Sequence, residues 1–61
     1  MDKEFQKDLH YLDSELDNIL QEISRINRKY KEDKFKEVLL LSLAHSVEAT
    51  KNYLDAHIED F

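Results

Sequence analysis

Large apolar residues recur along the first half of the chain at Phe5, Leu9, Leu12, Leu16, Ile19, Ile23, Ile26 and Tyr30. The steps are 4, 3, 4, 3, 4, 3 and 4, with no miss. On an α-helix this spacing is a heptad seam, with Leu9, Leu16, Ile23 and Tyr30 at a and Phe5, Leu12, Ile19 and Ile26 at d. The stripe is narrow, and a second helix has to cover it. Asp2 is placed to cap the N-terminus, and Glu4 suits the positive end of the helix dipole. Arg25, Arg28, Lys29 and Lys31 fall near the other end, where cations are stabilised. The periodicity predicts a helix over about 2–29.

The chain has 61 residues, with no Gly and no Pro. Those two residues supply positive φ and abrupt helix stops, so few tight turns are expected. The charged stretch Lys29-Tyr30-Lys31-Glu32-Asp33-Lys34 is the candidate break, and Asp33 is suited to cap a second helix. A turn at about 30–33 and a helix over about 34–60 complete a single domain, 1–61. The second helix carries one stripe of Leu40, Leu43, Ala44, Val47, Leu54, Ile58 and Phe61. A second stripe of Phe35, Leu39 and Tyr53 lies beside it, with small Ser42, Ser46 and Ala49 nearby.

Carrying the first heptad frame onward keeps Leu40, Ala44, Val47, Leu54, Ile58 and Phe61 in phase, but the frame fails at Asp33, Glu37 and Lys51. One continuous helix of ~90 Å, at ~1.5 Å per residue, is therefore the alternative to a hairpin. The hairpin is favoured because two frame failures fall where the charges cluster. The extra apolar width of the second helix also has no use in a two-stranded coil. The expected fold is all-α, an antiparallel two-helix hairpin.

A chain this short buries a smaller share of its surface than a larger domain does. Its second helix is apolar over more of its circumference than one neighbour covers. Two hairpins are therefore expected to pair into a four-helix bundle, as a two-fold homodimer or higher oligomer. The residues assigned to core or oligomer interface are Phe5, Leu9, Leu12, Leu16, Ile19, Ile23, Ile26, Tyr30, Phe35, Leu39, Leu40, Leu43, Val47, Tyr53, Leu54 and Ile58. Tyr11, Leu20 and Leu41 fall off these seams and are expected at an interface or exposed. Residues 25–36 hold six cations and two carboxylates, net +4, between a segment of net −5 before them and one of net −4 after. An antiparallel pair sets each basic turn against acidic termini, which favours that orientation over a turn-to-turn pair.

Little in the sequence points to catalysis. The absence of Cys excludes disulfides and thiolate metal sites. His10, His45 and His57 form no His-x-x-x-His pair, and the grouping His10, Asp13, His57 lacks metal-ligand spacing. No metal or cofactor is expected. Ser14, Ser24, Ser42 and Ser46 sit in no nucleophile motif, and Ser42 and Ser46 read as small residues that let helices approach. The acidic pairs Asp13/Asp17 and Asp55/Glu59 read as solvated helix faces. The protein is therefore expected not to be an enzyme.

The longest wholly apolar run, Val38 to Leu41, is too short to span a bilayer, and the N-terminus lacks a signal peptide's apolar stretch. No membrane partner and a cytoplasmic location are expected. The functional expectation is a small acidic homo-oligomeric protein that acts by macromolecular binding. It would be a regulator or inhibitor with a protein partner, encoded by a bacterium, phage or mobile element. The alternative is a nucleotide- or RNA-binding oligomer that uses the basic turn segment 25–36. Its candidate anion-binding residues are Arg25, Arg28, Lys29, Tyr30 and Lys34, an aromatic among cations. A net charge of −5 works against nonspecific nucleic-acid binding.

Overall fold

The computed structural model describes residues 2–61. Helix α1 (Lys3–Lys29) and helix α2 (Lys34–His57) pack as an antiparallel hairpin, and a 3-10 turn, Ile58–Asp60, follows α2. The Cα envelope measures 48 × 15 × 9 Å, which excludes the continuous rod.

Both helices start on an aspartate. The Asp2 carboxylate accepts from the Phe5 N–H at 3.0 Å, and that of Asp33 accepts from the Lys36 N–H at 3.2 Å. Each side chain satisfies a backbone donor that the first helical turn leaves unpaired. The chain reverses without glycine because the turn does not need it: no described residue has positive φ. Tyr30 leaves the helical region at φ −116°, ψ 31°. Asp33, extended at φ −100°, donates its N–H to the Tyr30 carbonyl at 3.0 Å and starts α2. The Lys36 ammonium lies 4.5 Å from the centroid of the Tyr30 ring, a cation–π contact that braces the turn from the α2 side.

The open end is also closed. The Asp2 N–H donates to the Phe61 carbonyl at 2.6 Å, and the Gln6 amide donates to the Ile58 carbonyl at 3.3 Å. α2 stops at His57, and the 3-10 turn that follows buries Ile58 and carries Phe61 over to Phe5. Their rings meet edge to face at 4.8 Å.

The core between the helices is thin. Only Leu40 (8% exposed) and Ile58 (6%) are buried among the described residues. Along α2 and into the 3-10 turn, the buried or half-buried positions are Asp33, Glu37, Leu40, Ala44, Val47, Lys51, Leu54 and Ile58. Their spacing is an unbroken 4-3 repeat. Asp33, Glu37 and Lys51, which break the apolar frame in the sequence, are therefore members of the inward stripe itself.

On α1 the half-buried positions are Gln6, Leu9, Asp13, Leu16, Leu20, Ile23, Ile26 and Asn27. The a residues Leu9, Leu16 and Ile23 point inward as expected, but their inward companions are Gln6, Asp13, Leu20 and Asn27. The d residues Phe5, Leu12 and Ile19 remain exposed. The heptad seam is thus split: one row serves the hairpin and most of the other stays uncovered. Leu20, expected off the seam, lies inside it. The Asn27 side-chain oxygen is buried there without a hydrogen-bond partner.

Candidate interaction surfaces

The exposed d row of α1 borders an apolar groove of about 410 Å³ at the open end of the hairpin. Phe5, Leu9, Leu12 and Leu16 form one wall, and Thr50, Tyr53, Leu54 and His57 form the other, with Asp60 and Phe61 at the end. The polar groups here are few and largely engaged. The Thr50 hydroxyl donates to the Ser46 carbonyl at 2.9 Å, and His57 Nδ1 lies 2.9 Å from the Asp60 carboxylate. The Tyr53 and His57 rings pack at 4.6 Å. Leu12 is 50% exposed and Tyr53 71% exposed, so the walls face solvent in the single chain.

Of the residues assigned to core or interface, Leu9, Leu16, Ile23, Ile26, Leu40, Val47, Leu54 and Ile58 lie between the two helices. Phe5, Leu12, Ile19, Tyr30, Phe35, Leu39, Leu43 and Tyr53 do not, and they remain exposed. Phe61 completes the groove through its contact with Phe5. Its in-phase position at the end of the α2 stripe was the available signal.

A separate cluster surrounds Lys51. Its ammonium lies 2.8 Å from Asp13, 3.5 Å from Asp17 and 3.6 Å from Asp55. None of these four residues lines the groove. The hydrogen bond from Lys51 holds the Asp13 carboxyl below the ordinary aspartate value despite partial desolvation, and the same bond raises Lys51. Asp13 is therefore a paired, half-buried group, not a residue of a solvated acidic face.

At the other end of the molecule, Arg28, Lys29, Tyr30, Lys31, Lys34 and Phe35 line an open concavity of about 840 Å³ with Glu32 and Asp33. Arg28, Lys29, Lys31 and Lys34 make no ion pair among the described residues. Arg25 does not line this concavity. It is held by Glu22 at 2.8 Å one turn away, a contact that lowers the glutamate and raises the arginine. Of the expected anion-binding set, Arg28, Lys29, Tyr30 and Lys34 share this concavity with Lys31, while Arg25 lines an adjacent one with Arg28 and Glu22. Asp33 is held below its ordinary value, chiefly by the Lys36 backbone N–H it accepts.

The groups considered for a metal do not converge. Asp13 is bound to Lys51 and His57 to Asp60, and no cluster of three ligating side chains occurs among the described residues. No helix there is long and apolar enough to cross a membrane. No family model, curated protein or solved structure matches the chain.

Proposed function

We propose that this protein is a non-catalytic interaction protein that works as a self-associated bundle of hairpins and regulates or inhibits another macromolecule by binding it. One observation carries this: among the described residues twelve large apolar side chains stay exposed while two are buried, with the rest of the apolar seam only half-covered, so a large apolar surface still faces solvent in the single chain. A domain of this size needs most of its apolar surface in a core to be stable alone. A contiguous apolar face on a small protein marks an interaction site. Pairing two hairpins through the groove face covers Phe5, Leu12, Ile19, Leu43 and Tyr53 and gives a four-helix bundle. Sedimentation equilibrium from low to high micromolar concentration tests the first step. The expected mass is a multiple of the 7.3 kDa chain. A helical, strictly single-chain species throughout refutes it. Affinity capture with the assembled protein tests the second step, and the expected result is a stoichiometric macromolecular partner.

A second function has its own support. Four cations without ion pairs among the described residues line one concavity at the turn with exposed Tyr30 and Phe35 and with Glu32 and Asp33, a basic-aromatic surface that suits a nucleotide or a short RNA. Calorimetric titration with nucleotides and short RNAs at low salt tests it. An absence of heat eliminates it.

A further inference from the structure

We infer that the self-associated form is a two-fold antiparallel pair in which Phe35 of each hairpin seats in the apolar groove at the open end of the second copy. This deepens the self-association proposed above and rests on it. Phe35 is the most exposed large apolar residue among the described residues, at 90%. It precedes Tyr53 by eighteen residues, about five turns at ~3.6 residues per turn and about a seventh of a turn more on the 4-3 repeat of α2, so Phe35 projects next to Tyr53 and slightly farther from α1. Tyr53 lines the groove, so Phe35 projects outward just beyond the groove side of α2, free to reach a second copy. Phe35 stands in the first turn of α2 and the groove lies at the other end of that helix. Only an antiparallel overlay brings one over the other.

Charge selects the same overlay. The net +4 segment 25–36 then lies over segments of net −5 and −4, and Lys31 and Lys34 approach the Glu59 and Asp60 end of the partner's groove. A parallel pair sets two +4 turns together and leaves two open grooves facing each other. A two-fold axis makes the contact twice, with each chain giving one Phe35 and one groove, so the assembly closes.

The chain has no cysteine, so a nitroxide on Lys31→Cys reports the arrangement by pulsed electron paramagnetic resonance. The expected spin–spin distance is near the 48 Å length of the hairpin. In parallel, Phe35→Ala is expected to weaken the dimer by about tenfold or more, as an interface anchor does, and Phe35→Leu to restore most of it. Leu41 lines a small cavity with Leu20, Ile23 and Glu48 that shares no residue with the groove, so Leu41→Ala is the control and leaves the dimer intact. Circular dichroism at high concentration confirms that each variant is helical. A dimer with a spin distance of a small fraction of the hairpin length overturns the antiparallel arrangement and leaves self-association standing. A long distance with an unchanged dissociation constant in Phe35→Ala overturns the seating of Phe35. A single-chain mass for the unsubstituted protein overturns self-association and this inference with it.

Discussion

The Lys51 ammonium donates to a carboxylate oxygen of Asp13 at 2.8 Å, across thirty-eight residues of sequence and between the two helices of the hairpin. Both side chains are about one-fifth exposed, and Asp17 and Asp55 complete the surroundings of the cation. A lysine on an inward stripe requires a carboxylate opposite it. The rotation of α1 that brings Asp13 to face α2 also turns Leu20 inward and leaves Leu12 and Ile19 outward. The orientation that pairs Lys51 with Asp13 is thus the one that exposes the apolar row.

Removing one partner of this pair is expected to cost more than removing both. Lys51→Met leaves Asp13, Asp17 and Asp55 together without a cation and should lower the thermal midpoint by several degrees. The double variant Asp13→Leu/Lys51→Leu replaces the pair by apolar contact and should recover most of that loss. Thermal melts of the single and double variants at one protein concentration form a double-mutant cycle that measures the coupling.

The same contact sets a pH window. Asp13 is lowered in the folded chain, so its contribution is full above the unfolded value of roughly 3.9 and is lost as pH falls through the lower folded value. Lys51 is raised, so its contribution is full below roughly 10.4 and is lost as pH rises through the higher folded value. Urea midpoints measured across pH should form a plateau between these limits. In the double leucine variant, the contribution of this pair to both edges should disappear.

Two isoleucines of one heptad seam should behave differently. Ile23→Asp puts a charge on the inward face of α1, and the unpaired charge should unfold the hairpin. Ile19 is 45% exposed in the single chain, so Ile19→Asp should preserve helicity and dissociate the assembly. Circular dichroism and light scattering on the same samples separate the two outcomes. Equal loss of helix in both variants contradicts the split seam.

Leu40 is one of only two buried side chains among the described residues. Leu40→Ala should cost about 2–5 kcal/mol, the usual range for truncating a buried leucine. A core this small supplies little more than about 3–5 kcal/mol. The variant should therefore lose cooperative urea unfolding. A sharp transition near the original midpoint shows that stability comes from elsewhere.

The two helices, their break and their caps follow from local chemistry that the sequence displays. An unbroken 4-3 apolar repeat makes α1, Asp2 and Asp33 hold free N–H groups at the two helix starts, and the charges at 31–34 interrupt the apolar frame. The basic turn was legible for the same reason, because its cations lie close together in the chain. The groove was not, because its walls come from both ends of the sequence and are joined by Phe61 folding back onto Phe5. Nor could spacing alone show which flank of α1 faces α2. The a row has apolar d residues on one flank and Gln6, Asp13, Leu20 and Asn27 on the other, and periodicity favours the first. The folded chain uses the second, which sets Asp13 against the half-buried Lys51. Apolar contacts can be made on either flank, whereas a half-buried ammonium needs an oxygen at a particular place.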